Sequence, residues 1–232
     1  CKSYMIVNLV FFFDFWYICK KEGVQGMRIE VPAISSAEEL ENVEPFRVEH
    51  LLWGTTQIPE TYGYLGFVPS DGFYLKMICK EKNPLRVYEK NQDPVYRDSA
   101  MEAFFQFDSE RERNTNALYL NLEVNANGAL RAEYGEERIY RTYFTPEEME
   151  KFDCKTTIDE ESWSMKLHLP IAILEKIYGP LHLDVGSSFW CNFYKISEAA
   201  EIEHYASYAP IRTEIPSFHL PEFFATADVV EA

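Results

Sequence analysis

Residues 118–135 read LYLNLEVNANGALRAEYG, and this stretch decides the fold. Leu118, Leu120, Leu122 and Val124 fall on one side, while Tyr119, Asn121, Glu123 and Asn125 fall on the other. A period of two is the mark of a β-strand with two unlike faces. Asn127-Gly128 then gives the signal for a type I′ hairpin turn, and residues 129–134 return as the partner strand.

The same alternation extends in both directions along the chain. Over 100–107, Met101, Ala103, Phe105 and Phe107 oppose Glu102, Phe104 and Gln106. Phe73, Leu75, Met77 and Cys79 share a face over 73–80, as do Trp163, Met165, Leu167 and Leu169 over 162–169. Over 189–196, Phe189, Cys191 and Phe193 oppose Trp190, Asn192, Tyr194 and Ile196. Helical signals are few. Thr145-Pro146-Glu147-Glu148 is a capping box with proline at the first helical position. A second helix begins at Pro170 and stops at Gly179, and the acidic stretch 35–44 is a surface turn or short helix. No internal repeats or long linkers interrupt residues 27–232. The expected fold is all-β: one antiparallel β-sandwich or jelly roll with short connecting helices.

Composition narrows the function. The 232 residues are 47% hydrophobic, enough for one large core. Lys and Arg number 22 against 38 Asp and Glu, giving a net charge of -16. Such a chain has no general affinity for nucleic acid, which depends on cations, nor for an anionic membrane surface. The 5 cysteines are scattered without a CxxC pair, which argues against structural zinc or a disulfide framework and for a reducing compartment.

Residues 1–26 stand apart. The run from Met5 to Ile18 is apolar save for Asn8 and Asp14, too short for a comfortable membrane span. Its densest positive charge, Lys20-Lys21, follows the apolar run where a signal peptide carries charge before it. Lys21-Glu22-Gly23 can be encoded by a purine-rich ribosome-binding sequence just upstream of Met27. We therefore read 1–26 as a leader from a start codon set too early, which N-terminal sequencing of the native protein tests. On that reading the protein is cytoplasmic; if 1–26 are genuine, it is exported or membrane-anchored.

Several strands carry a second face that mixes aromatic rings with planar polar groups: Glu102, Tyr119, Asn121, Glu123, Asn192 and Tyr194. Carboxylates and amides bridge neighbouring hydroxyls and rings cover the apolar face of a sugar. The plainer alternative is a sheet showing its polar side to water. Arg131, Arg138 and Arg141 fit either a ligand clamp or ion pairs with Glu133, Glu136 or Glu137.

The segments DPVYRDSAMEAFFQF (93–107), YLNLEVNANGALRAEYG (119–135), WSMKLHLP (163–170), CNFYKI (191–196) and HYASYAPIRTEIPSFHLPEFFATADV (204–229) resemble the family 9-like carbohydrate-binding domains. The resemblance spans most of residues 45–230 and implies a sandwich of two antiparallel sheets that binds mono- or oligosaccharide without cutting it. In the family two tryptophans sandwich a terminal sugar ring. Their positions fall at Tyr96 and Phe218 here. The family's strand glutamate is Glu102, its arginine on the next strand falls at Asn121, its glutamine falls at Tyr194, and His219 stands beside the second stacking ring. The implied carbohydrate site is therefore Tyr96, Glu102, Asn121, Tyr194, Phe218 and His219. The family also holds calcium. No run of oxygen ligands here singles out a site, so calcium is the sole candidate cofactor and its ligands are unassigned.

Three other functions compete. A glycoside hydrolase needs two carboxylates at a fixed separation, for which Glu102 and Glu123 are candidates. Haem binding, found in related sandwiches, would draw on histidines 50, 168, 182, 204 and 219, and a colourless protein excludes it. A domain that has lost its ligand would serve as an interaction surface.

Overall fold

The computed structural model describes residues 26–108 and 118–232. The leader expected over 1–26 lies outside them, apart from Gly26. Fourteen strands follow in chain order: β1 (Arg28–Ala33), β2 (Phe46–Arg47), β3 (His50–Leu51), β4 (Thr61–Val68), β5 (Gly72–Cys79), β6 (Ala100–Gln106), β7 (Tyr119–Asn125), β8 (Leu130–Gly135), β9 (Thr142–Tyr143), β10 (Lys155–Ile158), β11 (Trp163–Pro170), β12 (Ser188–Ser197), β13 (His204–Ser207) and β14 (Ala225–Glu231). Among the described residues the α-helices are α1 (Pro146–Lys151) and α2 (Ile171–Tyr178), and 3₁₀ turns stand at Ala37–Asn42, Val95–Arg97 and Pro221–Phe223. Among the described residues, no helix is long and apolar enough to cross a membrane.

The strands form one continuous sheet in the order β10-β11-β5-β4-β1-β14-β12-β6-β7-β8-β9. It curls so that its two halves face each other as a β-sandwich. Phe46 beside β4 stacks on Phe193 of β12, with ring centroids 3.9 Å apart. Phe73 of β5 meets Phe189 of β12 at 4.8 Å and Phe107 at 5.6 Å. The two halves join through β1, which runs parallel to β14 along Arg28–Ala33 and touches β4, also in parallel, at Ala33 and Phe67. The sandwich is thus antiparallel except at this seam, where the first and last strands meet.

Each alternating segment turns its apolar face inward. Met101, Ala103 and Phe105 of β6, Leu120, Leu122 and Val124 of β7, and Phe189, Cys191 and Phe193 of β12 join the central core. Burial of each such large apolar side chain contributes on the order of 1.5–3 kcal/mol. α1 begins with the full capping box: Glu148 N donates to Thr145 Oγ1, and Thr145 N donates to the Glu148 carboxylate. α2 closes one end of the core through Tyr178, whose hydroxyl donates to the Phe105 carbonyl at 3.2 Å.

Two local features differ from expectation. Gly128 N donates to the Asn125 carbonyl at 3.0 Å, and Gly128 alone in the turn takes a positive φ, 81°. The hairpin is therefore a three-residue loop closed by a left-handed glycine, where a type I′ turn would need two residues at positive φ. β4 lacked a clear strand signal because Gly63 and Gly66 interrupt it. Gly63 is needed there: a Cβ would stand 2.6 Å from both the Lys76 carbonyl oxygen and the Phe46 ring.

Candidate functional site

The outward face of β12, β6, β7 and β8 is largely shielded from water, with Trp190 and Arg131 left partly exposed. Its residues line up in two rows set by the pairing register. In the first, Tyr194, Glu102, Glu123 and Arg131 stand directly opposite one another across four strands. In the second, Asn192, Phe104, Asn121 and Glu133 do the same. The solvated polar face allowed by the sequence is thus replaced by a second, covered layer. Glu102 and Glu123 are each 3% exposed, and Asn121, Asn192 and Tyr194 are fully buried. The cover comes from the segment around Ile211, Phe218 and Phe224 and from Leu52, which pack with Phe104, Tyr119 and Tyr194 as a second apolar cluster.

Between sheet and cover lies a cleft of about 220 Å³. Glu102, Glu123 and Glu133 line its floor, Arg131 and Arg138 one side, and Trp53, Tyr96, Tyr205 and Phe218 its aromatic walls. His219 and Glu198 complete it. Of the six residues the resemblance implied, Tyr96, Glu102, Phe218 and His219 line the cleft. Asn121 and Tyr194 lie behind its wall.

Tyr194 supports Phe218 from beneath: the rings stack at 4.1 Å and 12°, and the Tyr194 hydroxyl donates to the Phe218 carbonyl at 3.3 Å. Phe218 also leans on Trp53 at 5.4 Å. It is 5% exposed, so most of its surface is packing. Trp53 and Tyr96 are only half-buried and have ring surface left to offer. Trp53 is held at a positive φ of 47°, with its indole N–H donating to the Thr213 carbonyl at 3.0 Å.

Asn121 acts at one remove. Arg141 lies over the Tyr119 ring at 4.1 Å and donates to Asn121 Oδ1 at 2.6 Å. That fixes the amide so that its Nδ2 donates to Glu123 Oε1 at 2.9 Å. Arg141 also donates to the carbonyls of Gly135 and Tyr119, so it is a structural clip. Arg131 ion-pairs with Glu133 and lies 6.0 Å from the rings of both Tyr96 and Tyr143. Arg138 donates to the Pro216 carbonyl at 3.4 Å.

The floor has an uneven charge balance. Glu102 and Glu123 form no ion pair among the described residues, and Glu123 Oε2 has no hydrogen-bond partner. Burial pushes the Glu102 carboxyl well above the usual range, with the neighbouring Glu123 adding to it. Burial likewise raises Glu123, to about 7, with Arg131 pulling the other way. His219 is pushed down to about 3 by burial and by Arg141, Arg138 and Arg131, and its Nδ1 sits 2.9 Å from the Tyr119 hydroxyl. The site thus offers carboxyl groups, guanidiniums, a neutral imidazole and ring faces around one open cleft. Among the described residues, no three His, Cys, Asp or Glu side chains are grouped to hold a metal ion.

Sequence reasoning missed Trp53 and Tyr205. Trp53 follows a two-residue strand and carries no periodic signal; Tyr205 N donates to Thr55 Oγ1, at a separation of 150 residues. Their one sequence-level hint was an aromatic residue outside the alternating strands.

The fold and the chain were then compared with known proteins. A search of curated proteins gave no match. A candidate carbohydrate-binding protein from Bacteroides uniformis superimposes with a TM-score of 0.75 at 20% identity, covering 88% of this chain and 100% of that one. A family 9 carbohydrate-binding module from Caldicellulosiruptor kristjanssonii, solved with cellotriose, gives 0.60 at 12% identity over 88% and 94% of the two chains. The same organism's family 9 module with glucose gives 0.57 at 12% identity, over 88% and 96%. These likenesses establish the β-sandwich fold. The sequence model of carbohydrate-binding family 9 matches residues 34–229, nearly the whole described chain, and the protein belongs to that family.

Proposed function

We propose that this protein binds a mono- or oligosaccharide in the cleft without cutting it. The observation that carries this reading is the row Glu102–Glu123–Arg131, set beneath half-exposed aromatic rings in a domain of a carbohydrate-binding family. Acceptors and donors side by side suit vicinal hydroxyls, and rings suit the apolar face of a pyranose. The complexes of the Caldicellulosiruptor modules with glucose and cellotriose support the class of ligand.

The roles divide by depth. Glu102 and Glu123 accept from hydroxyls, His219 adds a polar contact, and Tyr96 and Trp53 give stacking area. Phe218 has little surface left for a ligand, because it is 5% exposed and Tyr194 covers one of its faces. Asn121 and Tyr194 position Glu123 and Phe218. Catalysis is not part of this reading: hydrolysis needs carboxyls flanking the scissile bond, whereas Glu102 and Glu123 are neighbours on one sheet face.

Titration of the full chain with glucose and cello-oligosaccharides, followed by tryptophan fluorescence and calorimetry, tests the proposal. We expect saturable binding that Glu102→Ala removes, and no sugar release from chromogenic glycosides. Silence toward a broad glycan panel from folded protein would favour a ligand-free interaction domain instead.

A further inference from the structure

Glu102 and Glu123 stand directly opposite each other on β6 and β7, both almost wholly buried and both among the residues that line the cleft. Like charges paired across strands repel, and a buried carboxylate without a partner is costly. The protein answers these problems only in part, through the field of Arg131 and Arg138 and a proton kept on the pair. Glu123 Oε1 is taken by Asn121, but Glu123 Oε2 is buried without a partner, and no described residue gives Glu102 a hydrogen bond or ion pair. The nearby cations form no ion pair with either: Arg131 pairs with Glu133, Arg141 holds Asn121 and backbone carbonyls and stands 4.0 Å from Glu133, and Arg138 donates to the Pro216 carbonyl. Four carboxylates (Glu102, Glu123, Glu133 and Glu198) face two guanidiniums (Arg131 and Arg138) in the cleft lining.

We propose that the floor of the cleft is built for a sugar bearing a free ammonium group, an amino sugar, in preference to the matching neutral sugar. This rests on the carbohydrate-binding reading and names the ligand class of the same site. The ammonium sits between Glu123 Oε2 and the Glu102 carboxyl, while the remaining hydroxyls and ring faces are left to the cleft walls. It supplies the orphaned acceptor with a donor and separates the two like charges.

The proton balance follows. Without ligand the pair retains one proton, since Glu102 faces Glu123, Glu198, Arg131 and Arg138, and Glu123 faces Arg131, Glu133 and Arg141. His219, the remaining titratable group of the cover, stays neutral. When a sugar ammonium binds, the pair ionises fully and that proton passes to the buffer. A sugar that arrives as the ammonium therefore releases one proton on binding, less the share that the free amine must itself take up at that pH, and selectivity for the amine weakens as the pH falls below about 7 and Glu123 takes up a proton.

The test is calorimetry on the full chain at pH 7.5 in two buffers of different ionisation enthalpy. Glucosamine, galactosamine and mannosamine are each compared with the parent hexose and the N-acetylated sugar, and cyclohexylamine serves as an amine without hydroxyls. We expect at least one amino sugar to bind about tenfold more tightly than both neutral counterparts, with a heat that depends on the buffer. The ratio should collapse toward one in Glu123→Gln and in Glu102→Gln, with folding checked by thermal melts. If a parent hexose binds as tightly as its amine, or the ratio survives both substitutions, the ammonium site is wrong and the carbohydrate reading stands. If cyclohexylamine matches the amino sugars while hexoses are silent, the cleft is a simple cation site and the carbohydrate reading falls with the proposal. If none of these ligands binds, both fall.

Discussion

β12 carries a polar cluster on each face, and the two are built on opposite plans. Lys195 points inward and is fully buried. Its Nζ donates to Ser99 Oγ at 2.8 Å, to the Ile196 carbonyl at 3.3 Å and to His204 Nε2 at 2.9 Å, and stands 3.9 Å from Glu81. Glu81 Oε2 in turn accepts from Ser99 and from Trp163 Nε1. His204 Nδ1 lies 2.6 Å from the Ile202 carbonyl, which suits the tautomer leaving Nε2 as acceptor. Every donor of the ammonium has a partner. One residue earlier, Tyr194 faces the other way, onto the floor where Glu102 and the Oε2 oxygen of Glu123 have no hydrogen-bond partner among the described residues. A satisfied buried network rigidifies a fold, whereas an unsatisfied one that opens to a cleft is poised for a ligand. Both clusters are buried; they differ in the state of their hydrogen bonds.

That contrast can be broken at several points. The largest effect is expected at Lys195→Met, which takes the shared donor from Ser99, His204 and the Ile196 carbonyl and the cation from the partly buried Glu81, and should cost about 3 kcal/mol of unfolding free energy. Adding Glu81→Gln should recover part of the loss. A loss below about 1 kcal/mol in denaturant melts would show the inner cluster to be dispensable.

Next in size is ligand binding. Trp53→Ala should weaken sugar affinity about tenfold or more while leaving the fold intact, since Trp53 is a half-buried wall residue. Unchanged affinity would remove Trp53 from the site.

The opposite sign is expected on the floor. Glu123→Gln keeps the oxygen that accepts from Asn121 and removes one buried charge, so it should stabilise the free protein by about 1 kcal/mol at pH 8. The folded-state pKa of Glu123 is raised from 4.5 to about 7. Stability is therefore greatest below the unfolded value and falls as pH rises from 4.5 through 7. The gain from Glu123→Gln should vanish near pH 4.5, which melting curves across that window would reveal.

The smallest effect belongs to the histidines. His204 is depressed to about 4, by burial first and Lys195 second. The folded state then binds fewer protons than the unfolded one between pH 6.5 and 4, so stability present above 6.5 drains away as pH falls. His204→Gln should flatten that acid limb; an unchanged slope would exclude His204 as its source.

Much of this architecture is local and legible in the chain. Alternating segments at 73–80, 100–107, 118–125, 162–169 and 189–196 became β5, β6, β7, β11 and β12 with small changes at their ends. The capping box opened α1, and Gly179 ended α2 at a φ of 88°. By contrast β14, whose inward residues are Ala225, Ala227 and Val229, has too little apolar contrast to be read as a strand. Its parallel pairing with β1 joins Arg28 to Thr226 across almost the whole chain.

The site divides in the same way. Period-two spacing placed Glu102, Asn121 and Glu123 on one face, because side-chain direction in a strand depends only on the residue's own position. Which residue stands opposite which, whether water or another layer covers that face, and which aromatics close the cleft depend on segments up to 100 residues or more away. Tyr119 meets His219, and Trp53 meets Thr213. Sequence by itself determined the two-faced strands, the acidic charge and the family resemblance. Only the tertiary structure decided that the polar face is buried, that Asn121 and Tyr194 stand behind it, and that two carboxyls are left facing each other. Alternation is a local property of the backbone, whereas cover, partnering and electrostatic environment come from chain segments that folding alone brings together.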